Sequence, residues 1–307
     1  MKGISVHQRR ERILHKISLR SGETGNHWEK LREGNRKSLA PTIPFEEAED
    51  LPFTDPQVHH HMSSDTRHKI DVVRWVGENE DDPAMTVSAV STKLLFFCSG
   101  FLKNFIPRLK NHLLSRLLAR EYSGDETEFT SEERNSVTFI NNRIYSHKVL
   151  RVNYTTYDMR REQDSLNPRT HADIMVVSQE PTTREDGTPE HPYWYARIIG
   201  IFHTQVLHTG PKSRTSEPQR MEFLWVRWFG LDQKQPSGWR AKRLHRVGFV
   251  DGEDEAAFGF LDPEQVIRAV HLMPAFHHGR GTSNLKPSIA RPLTEKDEDW
   301  VFYYIGM

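Results

Sequence analysis

Residues 239–246, Trp239-Arg240-Ala241-Lys242-Arg243-Leu244-His245-Arg246, put four permanent cations and one indole within a single short run. Positive charge interleaved with an aromatic ring can hold phosphates while the ring stacks on a base, and the preceding Pro236-Ser237-Gly238 turn should expose the run. The same composition also serves as a solvated strand edge, because Lys and Arg on an edge discourage mispairing. Trp239, Arg240, Lys242, Arg243 and Arg246 are the candidate nucleic-acid contacts. A second group, Tyr193, Tyr195, Trp225 and Trp228, supplies rings for a cage around a methylated lysine, whose cation is drawn to ring faces. Aromatic residues at alternating strand positions also read simply as core.

Catalytic chemistry finds little to work with. His59-His60-His61 and His277-His278 offer imidazoles, but neighbouring side chains on one loop do not converge on one ion, and no Cys partner or HExxH spacing accompanies them. Two-metal phosphoryl transfer needs carboxylates gathered on neighbouring strands. Asp158, Asp164 and Asp173 lie in or beside early strands, yet each is close in sequence to Arg160, Arg161 or Arg169, and an ion pair accounts for each. Cys98 sits in an apolar run that raises a thiol pKa and leaves it inert. Gly279-Arg280-Gly281 lacks the Lys-Ser/Thr of a phosphate loop. No catalytic residue, metal site or cofactor is assigned, and nothing calls for a small-molecule ligand.

The charges of the chain cancel, with 42 basic and 42 acidic residues among 307, so any attraction to nucleic acid must be local. A single cysteine excludes an internal disulfide framework and fits a reducing nuclear or cytoplasmic compartment. The longest apolar run, Leu94 to Cys98, is far short of the roughly 20 residues that span a bilayer. The N-terminal basic residues Arg9 to Arg20 precede no apolar core, so a secreted protein is not expected.

The elements that must position these groups read as an α+β chain. Residues 1–57 are charged and without apolar periodicity, and are expected to be a disordered tail. Residues 58–135 read as a helical segment. Asp65 can cap a helix carrying Ile70, Val73 and Trp75, and Leu109, Leu113, Leu114, Leu117 and Leu118 form a stripe after Pro107. Thr130 or Ser131 with Glu133 opens a further short helix by capping chemistry. Residues 136–290 carry β-branched and aromatic runs, with strands expected at 138–140, 143–157, 172–178, 194–208, 221–229, 243–250 and 269–276. Turns are expected between them at Asn141-Asn142 and Gly210-Pro211. Asp262-Pro263 supplies a single helical turn. The runs 194–208 and 221–229 should pair antiparallel, in a partly closed, β-barrel-like antiparallel domain. Residues 291–307 form a C-terminal segment.

Several ordered blocks carry a family resemblance: His59-His60-His61-Met62-Ser63, the run from Phe105 to Leu114, Arg151 to Asp158, Asn167 to Met175, and the two aromatic strands. From about Asp55 onward the chain resembles the C-terminal region of transposon-encoded proteins of mushroom-forming fungi, related to CACTA-type transposases. The succession of an Ala-Arg-Ile strand and a Val-Arg-Trp-Phe strand also resembles bromo-adjacent homology (BAH) domains, interaction modules of chromatin proteins. The resemblance implies a non-catalytic accessory that contacts DNA or a chromatin protein. The alternatives it leaves are a transposase fragment with metal-dependent DNA cleavage and an inactive relic. In the family the nucleic-acid-cutting core lies upstream and members continue past the equivalent of Met307, so a truncated or decayed copy is expected. Residues 85–100 clash in composition with their surroundings and are read as a retained intron, which transcripts aligned to the locus would test.

Overall fold

The computed structural model describes residues 58–63, 68–85, 105–120, 129–158, 160–178, 191–238, 241–282, 284–291, 295 and 297–306. The expectations for the tail at 1–57, for residues 86–100 with Cys98, for the Asp65 cap, and for Trp239 and Arg240 fall outside the described residues.

In chain order the elements are β1 (His60–Met62), β2 (His68–Asp71), α1 (Val72–Glu78), α2 (Phe105–Leu117), α3 (Ser131–Asn135), β3 (Val137–His147), β4 (Leu150–Thr155), β5 (Arg161–Leu166) and β6 (Asp173–Val177). They continue with β7 (Tyr193–His208), β8 (Gln219–Leu231), β9 (Arg246–Phe249), β10 (Phe258–Leu261), β11 (Val266–Ala269), β12 (His271–Pro274), β13 (Arg280–Gly281), β14 (Asp299–Trp300) and β15 (Tyr303–Gly306). The described residues are thus mostly antiparallel β-structure with three short α-helices. None of the helices is long and apolar enough to cross a membrane.

The chain divides into two compact units. The described part of the smaller unit is Val58–His59 with residues 153–163. There Asn153 donates its backbone N–H to His59 O at 2.9 Å and its side-chain amide to Val58 O at 2.7 Å. The Gln163 amide donates to Asn153 Oδ1, and the Tyr154 hydroxyl to Glu162.

The larger unit, residues 60–152 and 164–307, is organised by β7 and β8. These are the two aromatic, β-branched runs of the sequence, and they pair antiparallel from Tyr195↔Phe229 to Val206↔Gln219. A bulge at Ile199 shifts the register between Ile198↔Val226 and Gly200↔Trp225. Gly200 is required there, because a Cβ would lie 2.3 Å from the Phe202 ring. Each strand is long enough to take two outer partners: β6 and β3 lie along β7, and β10 and β9 along β8. The ten-stranded sheet follows β11-β6-β7-β8-β9-β15-β12, with β10 on β8, β3 on β7 and β2 on β3. Among the described residues no pairing joins β11 to β12, so the path stays open and does not close into a barrel.

Strand alternation sends β8 side chains into separate cores. Phe223 and Trp225 join Val72, Val76, Leu109 and Leu113 of the helices, so α1 and α2 share a core with the sheet. Leu224 and Val226 point the other way, against Ile174, Ile198 and Val266. Phe229 enters a third cluster with Tyr195, Val247, Phe249 and Tyr303.

Local signals explain most boundaries. The stripe of α2 buries Leu109, Leu113 and Leu114 at 0%, 0% and 1% exposure. Thr130 and Glu133 form a reciprocal capping box at the start of α3. Asp262 accepts from Glu264 N–H, with Pro263 opening the single 3-10 turn. Some expectations change. The first helix starts only at Val72, capped by Asp71, whose carboxylate accepts from Arg74 N–H at 3.0 Å; residues 68–71 pair instead with β3. Asn141-Asn142 is not a chain reversal but a bulge inside β3, where φ values of 55° and 51° are tolerated by Asn. The chain turns at Lys148-Val149.

A buried ionic triad ties the C-terminal strands to this frame. Arg227 of β8 holds Asp299 of β14 with a two-pronged contact at 3.1 and 2.9 Å. Arg291 grips the same carboxylate at 3.1 and 2.9 Å and donates to Leu285 O and Lys286 O. The three are 1%, 6% and 3% exposed. Burial works against a charge on Asp299, but hydrogen bonds from Arg291 and Arg227 hold its pKa below the ordinary value. Arg227 also lies 3.8 Å over the Phe249 ring.

Candidate nucleic-acid interface

The described part of the basic run, residues 241–246, leads into β9. A reciprocal backbone bridge between Gly238 and Arg243 closes the turn, and Lys242 takes a φ of 51° within it. Lys242 and Arg243 are exposed. Arg246 is not available in the same way. Its guanidinium donates to Asp232 Oδ2 from Nη2 at 2.5 Å and from Nε at 2.9 Å, and its Nη1 donates to His278 Nε2 at 2.7 Å. Its charge is already answered by a carboxylate that is only 9% exposed. Burial opposes a charge on Asp232, yet the Arg246 hydrogen bond brings its pKa below the ordinary value. Burial pushes the His245 pKa down, and its Nδ1 lies 2.9 Å from Ser237 Oγ. Of the five residues expected to bind nucleic acid, Lys242 and Arg243 stand exposed together, Arg246 is consumed by an ion pair, and Trp239 and Arg240 are outside the described residues.

Arg246 leads to a second feature absent from the sequence expectation. Its guanidinium lies 4.3 Å over the Phe302 ring, which also meets His278 edge-on at 5.1 Å. His278 belongs to a 3-10 turn, Phe276–His278, that follows β12. Gly279 leaves this turn at φ 71°, a left-handed conformation in which any Cβ is strained. The chain then pairs as β13 with β14, setting Arg280 opposite Trp300. In consequence Arg280 covers one region of the Trp300 ring at 4.5 Å, and Phe276 meets that ring edge-on at 5.1 Å. Phe276 itself is 73% exposed. Asp299, the residue before Trp300, is the buried anchor of the Arg227–Arg291 triad, so β14 has little freedom to shift. Phe276 was expected to end a strand; the cue to its actual place was the His277-His278-Gly279-Arg280-Gly281 run, whose glycines and polar residues mark a turn rather than a ladder.

The four cage residues do not converge. Trp225 is 3% exposed and packs edge-on against Trp75 and Phe105 at 5.9 and 5.4 Å, in the helix-facing core. Trp228 meets Trp194 at 6.0 Å in the second cluster. Tyr195 and Tyr193 belong to the third, where the Tyr195 hydroxyl lies 2.8 Å from His191 Nε2. A cage needs open ring faces around one cation, and residues three positions apart on a strand face opposite sides. Core packing accounts for all four.

The carboxylates are similarly dispersed among separate partners. Asp158 bonds Thr156 and pairs with Arg160. Asp164 accepts from Ala269 N–H at 2.7 Å. Asp173 forks Arg197 at 2.7 and 3.1 Å, and Glu295 takes a third Arg197 contact at 3.0 Å. Of the adjacent histidines, His60 donates from Nε2 to Glu222 Oε2 at 3.0 Å. Among the described residues no group of three or more His, Cys, Asp or Glu could hold a metal ion. Comparison with protein-family models, curated proteins and solved structures yields no match.

Proposed function

We propose that this chain is a non-catalytic interaction module that contacts DNA or chromatin through its β domain, as an accessory part of a fungal transposon-derived, nuclear or cytoplasmic protein. The resemblance to transposon-encoded and BAH-like β domains motivates the class. The observation that carries the contact is the bridged turn 238–243, which presents Lys242 and Arg243 to solvent on a molecule whose charges otherwise cancel. A neutral protein reaches a polyanion only through such a local patch. The non-catalytic reading is supported by the separate commitments of Asp158, Asp164 and Asp173, since metal-dependent cleavage needs carboxylates that share a cation.

The test is a salt titration of fluorescent-duplex anisotropy. Replacing Lys242 and Arg243 together by Gln removes at most two phosphate contacts, which lowers the magnitude of the log-affinity against log-salt slope by up to about 1.8. Replacing Arg246 leaves the slope nearly unchanged, because its charge is neutralised by Asp232. A wild-type protein that binds neither duplex nor single-stranded DNA near 50 mM salt, or a Lys242/Arg243 variant with an unchanged slope, overturns the reading.

A further inference from the structure

We infer that Phe276, backed by Trp300 and Arg280, is a stacking platform for an unpaired base, so that the partner is single-stranded nucleic acid in preference to duplex. The inference rests on the nucleic-acid reading above and names its substrate.

Covering an aromatic ring that is 73% exposed gains hydrophobic free energy. Phe276 is not a loose side chain on a loop. Its ring meets Trp300 in a T-shaped contact at 5.1 Å with an interplanar angle of 86°, a geometry in which Trp300 covers no more than one face of the exposed ring. The brace is itself fixed. Trp300 is held by the β13–β14 pairing, by the Arg280 guanidinium at 4.5 Å, and by its neighbour Asp299 inside the buried triad. A pre-set aromatic surface is what base stacking uses, because a base offers a π-face whatever its identity.

Charge selects the partner. Arg280 is exposed beside the platform, and no carboxylate among the described residues pairs with it. His278, in the same turn as Phe276, meets both Arg246 and the Phe302 ring beneath it, and four and three residues before Arg246 stand the exposed cations Lys242 and Arg243. Asp297 and Glu298, also exposed, precede Trp300 and would repel phosphates on that side. A strand therefore runs from the platform toward the Lys242–Arg243 turn. A duplex presents its bases stacked within the helix and gains nothing from Phe276; a single strand can place one base on the ring and its phosphates on the cations.

The probes are a fluorescein-labelled oligothymidylate of about 15 nucleotides, near the upper site size of single-strand binders, and a duplex of the same length. Wild type should bind the single strand more tightly. Phe276→Ala should weaken single-strand binding by about 5- to 160-fold, the range of one lost base stack, with duplex binding unchanged, and Phe276→Trp should restore it. The Lys242→Gln, Arg243→Gln variant should weaken both. If wild type binds duplex but Phe276→Ala leaves the single-strand affinity intact, the platform is refuted while the general nucleic-acid reading survives. If neither probe binds, both fall. If Phe276→Ala instead abolishes a self-association seen in sedimentation and leaves nucleic-acid binding untouched, the ring is a contact between copies and the inference is wrong.

Discussion

Replacing Asp299 by Asn keeps the size of the side chain and removes one charge from the Arg227–Asp299–Arg291 triad. In the native protein each guanidinium spends two N–H groups on that carboxylate, and the cations are 1% and 6% exposed. An Asn offers one acceptor oxygen and turns an NH2 donor toward one of the guanidinium groups, so two buried cations lose their shared counter-charge. Breaking a buried pair in this way costs about 3–5 kcal/mol, because water cannot reach the stranded charge. For a chain of this length, at about 2–4 °C per kcal/mol, the melting temperature should fall by roughly 10 °C. The assay is thermal and urea unfolding followed by tryptophan fluorescence. A second variant separates loss of charge balance from loss of contacts: Arg227→Met with Asp299→Asn removes one of the stranded cations and should recover about 1–2 kcal/mol over Asp299→Asn alone. Should Asp299→Asn cost less than about 1 kcal/mol, or the double variant be as unstable as the summed single changes, the triad is not an electrostatically closed unit and the reasoning fails.

Glu222 gives a pH signature. Burial disfavours its charge, but hydrogen bonds from His60 and Arg220 outweigh that and hold its pKa at about 2, against an ordinary 4.5. A depressed carboxylate pKa stabilises the fold above the unfolded value and loses that stabilisation as pH falls from about 4.5 to about 2. Glu222→Gln should therefore be less stable than wild type near pH 7 by about 2 kcal/mol, after allowance for solvent screening, with the gap closing toward pH 2 in urea titrations across pH. A gap independent of pH would contradict the pairing. Trp225→Ala should cost about 3–5 kcal/mol in the same unfolding assay, since the indole fills the core between the sheet and the helices; a loss under about 1 kcal/mol would mean that the site collapses around the change.

Much of the frame was legible because its causes are local. The pairing of 194–208 with 221–229 follows from two β-rich runs separated by a turn, and the α3 capping box and the Asp262-Pro263 turn follow from residues within three positions of one another. What the sequence hid depends on distant partners. The helix expected from Asp65 yields its first turns to β2, because residues 68–71 find β3 more than seventy positions away. Arg246 reads as a free cation until Asp232, fourteen residues upstream, is seen to neutralise it. The cage residues look like one group in the sequence, yet strand alternation along a ribbon that borders several cores sends them to three of these. Trp300 and Phe276 lie twenty-four residues apart, and only the two-residue ladder β13–β14 reveals that they meet.

The double partnership of β7 and β8 also bears on how such a module can diversify. Each strand spends both backbone edges on neighbours, and their side chains fill cores on both sides. A mutation at one of the buried positions of this ribbon therefore has no solvent into which to place a new group, and a one-residue slip would turn every core side chain to the wrong face. Variation that leaves these cores intact is easiest at the periphery: the 238–243 turn, the short 276–281 excursion and the outer strands. Lineages could exchange one ligand for another there while the ribbon stayed the same, much as a handle is kept when the blade is changed.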